Sequence, residues 1–255
     1  MYNQVIKHVL GTGGCGFVGV NLVQLLEMRG YTVTVLDNLS TGREDDLAET
    51  SARLIKGDLR DESAVASAVS GADAVVHLAA HTRVMDSVAD PTENFEVNAR
   101  GTLMLLEQCR KATVQSVVMA STGGAIIGDV TPPVHEDMVP RPVSPYGASK
   151  VAAEGYASAY AGSYDLAIVA LRFANVYGPY SYHKGSVVAK FFRSYLEAEP
   201  WIVYGDGTQT RDSVYVGDIA EAIRLALEHT ATGFQVFNYR VRGGDERAEA
   251  GGAAA

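Results

Sequence analysis

Thr12-Gly13-Gly14-Cys15-Gly16-Phe17-Val18-Gly19 is the stretch on which the fold turns. An apolar run over residues 5–10 precedes it and an amphipathic stretch over 17–29 follows, so it reads as the loop between a first strand and a first helix. Glycines at 13, 16 and 19 let the backbone turn tightly, approach a pyrophosphate and pack helix against strand. The helix N-terminus then offers N–H groups and a positive dipole end to phosphate. A glycine turn alone says little, but Asp37 closes the next apolar run, over 32–37. An acid about 20 residues beyond the loop sits where an adenosine ribose is held. Its carboxylate accepts from a 2′-hydroxyl and repels a 2′-phosphate, which favours NAD over NADP. Arg43 lies close enough in sequence to soften that preference. Cys15 reads as a small side chain filling a packed turn.

Outward from the loop, short β-rich runs (53–56, 74–78, 114–120, 166–173) alternate with amphipathic stretches (61–69, 93–111, 146–161). Continuous Val/Ile/Leu runs joined by helices predict parallel strands buried on both faces. Gly30 and Gly71 stand where helix C-caps belong. The expectation is an α/β fold, a doubly wound parallel sheet of the Rossmann type, with ligand at the carboxyl ends of its strands. Residues 1–173 form the expected dinucleotide-binding domain, with 212–232 packing back on it. Residues 174–255 form a small, C-terminally shortened substrate-binding region: a helix near 186–197, a strand over 201–204 and a helix over 216–229. The tail from Arg240 has no apolar periodicity and reads as disordered. Between Gly123 and Pro145, five prolines crowd a polar loop, and long loops of this kind are more often functional than idle.

Composition narrows the partners. Lys and Arg total 21 against 30 Asp and Glu, a net charge of −9 over 255 residues. An acidic surface without a basic cluster argues against nucleic acid and against an anionic membrane. Cys15 and Cys109 are too few for a disulfide framework or a zinc site, so no metal is expected and a reducing cytoplasm fits. No apolar run approaches the ~18 residues of a membrane span, and Met1-Tyr2-Asn3-Gln4 opens no secretory signal.

Chemistry enters with Tyr146-Gly147-Ala148-Ser149-Lys150, directly after Pro145. Residues four apart on a helix share a face, so the phenol and the ammonium point into one pocket. A neighbouring cation favours phenolate and brings the phenol toward working pH as a base. A third group is needed at the developing oxyanion. Ala120-Ser121-Thr122-Gly123-Gly124 supplies two hydroxyls at a strand end, and Thr122 is preferred with Ser121 close behind. At two other strand ends, Asp58 and Leu59 can meet the adenine, while Leu78, Ala79 and Ala80 let backbone approach the cofactor. Asp58 has the alternative role of capping the helix from 61.

Together these residues resemble the extended short-chain dehydrogenase/reductase family, and within it the nucleotide-sugar 4-epimerases of the UDP-glucose/UDP-galactose type. The matching stretches include GTGGCGFVG (11–19), VLDNLSTGR (35–43), VVHLAA (75–80), SPYGASKVAAE (144–154), LRFANVYGP (171–179) and YGDGTQTRDSVYVGDIA (204–220). The resemblance implies that Phe17 and Val18 lie at the NAD pyrophosphate, Asn38 and Ser40 near the adenosine, and Phe173 at the nicotinamide. It implies that Asn98 helps hold the site, and that Asn175 and Arg211 contact the diphosphate of a UDP sugar or another nucleotide sugar. His81, Arg83 and His183 are candidates for the sugar pocket. The implied reaction is NAD-dependent epimerisation at C4 through a 4-keto sugar, and the implied assembly is a homodimer through a four-helix bundle. Alternatives are a 4,6-dehydratase or decarboxylase on the same scaffold, or a catalytically silent NAD-binding protein. Relatives of the first kind place an acid directly after the Thr, where this chain has Gly123 and Gly124. Three positions depart from the family pattern, Gly11, Ile127 and Ser213, and the family's further C-terminal elements give way here to an Ala/Gly-rich tail.

Overall fold

In chain order the strands are β1 (His8–Thr12), β2 (Thr32–Asp37), β3 (Arg53–Lys56), β4 (Ala74–His77), β5 (Ser116–Thr122), β6 (Ala167–Phe173), β7 (Asn175–Tyr177), β8 (Ser213–Tyr215) and β9 (Phe234–Tyr239). These come from a computed structural model that describes residues 5–131, 133–203, 205–206, 211–229 and 232–240. Seven strands form one parallel sheet in the order β3-β2-β1-β4-β5-β6-β9, while β7 and β8 make a separate parallel pair. The strand order reverses direction between β1 and β4, which opens a crevice at their carboxyl ends.

The helices are α1 (Phe17–Met28), α2 (Glu62–Val69), α3 (Val84–Ala89), α4 (Pro91–Phe95), α5 (Gly101–Lys111), α6 (Gly123–Ile127), α7 (Pro145–Tyr164), α8 (Val187–Leu196) and α9 (Val216–Glu228). Alternation along the strands sends side chains into two cores. Val9, Val33, Val35, Val76, Val118 and Val169 pack with α1 and α9 residues such as Val20, Leu26, Ile219 and Ile223. Leu10, Leu36, Val75, Met119 and Ile168 pack with Val65 of α2, Leu105 and Leu106 of α5 and Ala153 of α7. Leu10, Leu36 and Leu105 are at most 1% exposed, and full burial of a leucine contributes about 1.5–3 kcal/mol. Gly30 and Gly71 have φ of 86° and 77°, the left-handed turns expected after α1 and α2.

Several expectations are revised. The helix placed at 93–111 begins at Pro91, with Asp90 accepting from the Glu93 N–H at 2.9 Å, and carries a π-helical turn over Glu96–Arg100 before α5. The strand placed at 201–204 is not formed over its described residues: Trp201, Ile202 and Val203 are exposed, and Trp201 stacks on Phe191 of α8 at 5.2 Å. Beyond Arg240 the tail read as disordered lies outside the described residues, as do Tyr204 and 207–210 of the 204–220 motif. Among the described residues no helix is long and apolar enough to cross a membrane, and no group of His, Cys, Asp or Glu is arranged to hold a metal ion.

Candidate active site

The glycine loop is shaped by contacts only glycine allows at two positions. Gly13 has φ 69°, and a Cβ there would stand 2.7 Å from the Ala79 nitrogen. A Cβ on Gly19 would stand 2.4 Å from the Gly13 carbonyl, so α1 seats directly on the loop. At the mouth of α1, Gly16 provides no side-chain cap and the first turn carries no acid. The amides of Phe17 and Val18 therefore face forward without a protein carboxylate to satisfy them, the donor set a pyrophosphate needs.

Asp37 ties this loop to the end of β2. Its Oδ2 accepts the Cys15 N–H at 2.9 Å and its Oδ1 the Leu39 N–H at 2.8 Å. Each oxygen keeps a second lone pair for a ribose hydroxyl. Arg43 pairs with Asp45 at 3.3 Å, an ion pair that offsets its positive charge. Burial pushes the Cys15 thiol up to about 12, an inert packing group as the sequence reading held. Asn38 donates to Asp58 at 2.8 Å and accepts from the Ser40 N–H. Asp58 is gripped by Arg60, whose hydrogen bonds hold its carboxyl well below the usual range. Asp61, not Asp58, caps α2, accepting from Ser63 and Ala64. Leu59 is buried against Gly101.

Past β4 the chain runs through Leu78, Ala79 and Ala80, half-buried, to His81. Asn98, in the π-helical turn, accepts the His81 N–H at 2.8 Å and donates to the His81 carbonyl at 2.9 Å and to Ser149 at 3.1 Å. This one amide fixes the β4 loop against α7. Arg83 is not brought to this cluster: it is exposed and pairs with Asp86. His183 is exposed, edge-on to Tyr182.

Ser144 caps α7 by accepting the Gly147 N–H, and Pro145 takes the first helical position, where a missing N–H costs nothing. Tyr146 and Lys150 are then both buried on one face. Lys150 Nζ donates to the Ala120 carbonyl at 3.1 Å, which joins α7 to the end of β5. Burial lowers Lys150 to about 8, and the negative charge of Glu154 acts against that fall. Burial also raises the Tyr146 phenol to about 12. The phenol thus lies above its ordinary value, not below it as the Tyr–Lys spacing predicts. Beneath them His77 bridges Thr12 and Thr102 at 2.8 Å each, and burial, aided by Lys150, drops it to about 3.

The two hydroxyls at the β5 end part company. Ser121 donates to Glu154 at 2.6 Å and is buried. Thr122, half-buried, heads α6 and lies in register with Phe173. Gly147 lets α7 close on α6, for a Cβ there would meet the Ala125 carbonyl at 2.2 Å.

Beyond β6, Asn175 and Arg211 line one pocket, with Ser213 opposite Asn175 in the β7–β8 ladder. Ser186, at the N-terminus of α8, lines it too, and its buried Oγ has no hydrogen-bond partner. Sequence reading missed Ser186, Glu154 and Arg172. The first has no motif, and the other two meet only through tertiary packing.

An uncapped helix behind a glycine loop, an acid on the second strand and a buried Tyr–Lys pair define a dinucleotide-dependent enzyme of the short-chain dehydrogenase/reductase type. The chain belongs to the NAD dependent epimerase/dehydratase family, whose sequence pattern it matches over residues 9–239. It is 40% identical over 239 residues to the UDP-glucose 4-epimerase of Mycolicibacterium smegmatis, covering 90% of this chain and 75% of that protein. The UDP-glucose 4-epimerase of Thermotoga maritima, solved with UDP-glucose, superposes with a TM-score of 0.87 at 38% identity, covering 92% and 77%. That of Thermus thermophilus, solved as a complex with NAD, superposes at 0.84 with 42% identity, covering 92% and 78%.

Proposed function

We propose that this chain is an NAD-dependent 4-epimerase acting on a UDP sugar. The observation that carries the reading is the buried Tyr146–Lys150 pair, fastened to the end of β5 next to Thr122, with Gly123 and Gly124 following instead of an acid. A dehydratase or decarboxylase needs an acid or base for its additional steps, and neither glycine can supply one.

In this reading Gly13, Gly16 and Gly19 with the amides of Phe17 and Val18 hold the NAD pyrophosphate. Asp37 holds the adenosine ribose, Asn38 and Ser40 lie beside it, and Asp58 and Leu59 flank the adenine. Leu78, Ala79 and Ala80 give the cofactor a smooth wall, Asn98 fixes that wall, and Phe173 closes the nicotinamide end. When bound, NAD supplies the hydride acceptor and donor through which C4 passes by way of a ketone. Tyr146 takes the proton from the C4 hydroxyl and later returns it, while Thr122 hydrogen-bonds the same oxygen. The Lys150 ammonium favours the phenolate, opposing the burial that makes Tyr146 a weak acid. Arg211, Asn175 and Ser186 grip the diphosphate, a guanidinium and a helix N-terminus converging on two phosphates. Held by that end alone, the sugar can turn over between the two half-reactions, with His81 near its path.

The same reading includes a homodimer. Tyr156 and Tyr164 of α7 are exposed, and Tyr160 and Tyr164 are tethered to Glu107 and Arg110 of α5. A two-fold axis along these helices buries that aromatic stripe in a four-helix bundle.

The test is interconversion of UDP-glucose and UDP-galactose by the NAD-loaded protein, followed by NMR of the sugar anomeric signals. Conversion in both directions supports the reading. Bound NAD with no change in any UDP-hexose would leave a silent binding protein.

A further inference from the structure

Directly behind the Tyr146–Lys150 pair lies a sealed charge that the reaction scheme does not use. Glu154 stands one turn after Lys150 on α7 and is 7% exposed. Its Oε1 accepts from Ser121 Oγ at 2.6 Å and from Arg172 Nε at 2.9 Å, and its Oε2 from the Arg172 Nη2 at 2.7 Å. Arg172, on β6 beside Ser121 in register, is 5% exposed and also donates to the Glu136 carbonyl at 3.3 Å. The Glu136 carboxylate accepts the Asn238 N–H of β9 at 2.6 Å. One buried ion pair therefore gathers β5, β6, α7 and the proline-rich loop, with β9 behind it.

Stability alone does not account for such a pair. Desolvating both charges costs about as much as their attraction returns, and apolar replacements of equal volume are often neutral or better. What a charged, bidentate pair adds is direction. By drawing Ser121 to the α7 side, it sets the pleat so that Thr122 projects the other way. It also fixes the Ala120 carbonyl on which Lys150 rests.

We propose that Glu154, held by Arg172 and Ser121, is a positioning residue for the epimerase reaction: it aims the end of β5 and holds a carboxylate one helical turn from Lys150. This rests on the reading of Tyr146 as base and Lys150 as its charge partner. The titratable groups along the α7 face of Lys150 are Tyr146 and Glu154, with His77 on β4, and those facing Glu154 are Lys150 and Arg172, which in turn donates to the Glu136 carbonyl. His77 is neutral at working pH, with its midpoint near 3, and Tyr146 carries a charge only in the phenolate form that acts as base. Glu154 is thus the standing negative charge among these groups. Its loss moves the lysine midpoint below about 8, and the alkaline limb of turnover moves to lower pH with it.

Three variants of the NAD-loaded protein test this. Glu154→Gln removes the charge but strands a buried guanidinium, so a Glu154→Leu, Arg172→Met pair is made beside it to keep the volume without charge. Lys150 is followed directly by NMR of lysine labelled at the side-chain nitrogen, independently of any sugar, and turnover is followed from pH 6 to pH 10. The expected result is a folded, NAD-retaining double variant whose Lys150 midpoint lies lower than in the unmodified protein. Its kcat should fall ~10-fold or more with little change in KM, the scale of a misplaced proton-transfer group. Ser121→Ala should lower kcat without moving the lysine midpoint. A double variant with an unmoved Lys150 midpoint and undiminished kcat would overturn the proposal. If the unmodified protein converts no UDP-hexose, the functional reading fails, while the lysine titration still decides whether Glu154 sets the charge of Lys150.

Discussion

The Asp37 carboxylate accepts the backbone N–H of Cys15 at 2.9 Å, so the acid proposed to hold the ribose also fastens the glycine loop to β2. Affinity and loop geometry are coupled through one side chain. Asp37→Ala should cost a ribose contact and leave two amides without their acceptor, ~1–3 kcal/mol each where burial is complete. Calorimetry should show NAD binding weakened more than NADP binding, with a lowered melting temperature in the absence of nucleotide. Tighter NADP than NAD on the unmodified protein would contradict the assignment.

Tyr146→Phe isolates the proton transfer. The ring stays buried and the pocket keeps its shape, so NAD content should be unchanged. Turnover of UDP-glucose should fall ~10²–10⁴-fold, the usual contribution of a positioned base. Lys150→Ala should lower both turnover and NAD retention, because it also removes the strut to the Ala120 carbonyl. Undiminished turnover in Tyr146→Phe would move the base elsewhere.

Much of this site could be read directly because its signals are local. Gly13, Gly16, Gly19 and Asp37 report strand, turn and helix within one βαβ unit, and Tyr146 and Lys150 are one helical turn apart. What escaped reading depends on neighbours distant in sequence. Glu154 and Arg172 meet only because α7 folds back over β6, and β9 enters the sheet beside β6 after a separate excursion of the chain. β7 and β8 are three residues each, too short for a period of two to register. Trp201-Ile202-Val203 has the composition of a buried strand but is exposed, since apolar character alone does not provide a ladder partner. The preference for Thr122 over Ser121 is now supported by a physical reason: the Ser121 hydroxyl is taken by Glu154.

His77 should make the fold acid-sensitive. Its folded midpoint near 3 lies below the ordinary 6.5 because burial disfavours the charged ring. The unfolded chain therefore binds one more proton between those values. Stability from this group is complete above pH 6.5 and is lost as pH falls toward 3, at up to about 1.4 kcal/mol per pH unit. Urea titrations from pH 7 to pH 4 should show that slope. In His77→Gln, which keeps polar atoms for Thr12 and Thr102, the slope should shrink by about one proton even though the variant starts less stable. An unchanged slope would mean that His77 charges without cost.

Two glycines of α7 make opposite predictions from the same substitution. A methyl on Gly147 would stand 2.2 Å from the Ala125 carbonyl, whereas one on Gly155 meets nothing within 4 Å. Gly147→Ala must push α6 away from α7, and overpacking of this kind costs ~1–3 kcal/mol. Because α6 begins immediately after Thr122, the shift should also lower kcat while leaving NAD binding at the glycine loop largely intact. Gly155→Ala faces open space in a helix interior, where alanine is favoured over glycine by ~0.5–1 kcal/mol. Thermal melts should therefore move down for the first variant and up for the second, with turnover falling only in the first. The second also probes assembly, because Gly155 neighbours Tyr156 on the helix offered for the dimer. If light scattering shows a dimer for the unmodified protein but a monomer for Gly155→Ala, this face lies so close to its partner that a single methyl cannot be admitted. A dimer in both would show that the contact leaves room for a methyl at Gly155.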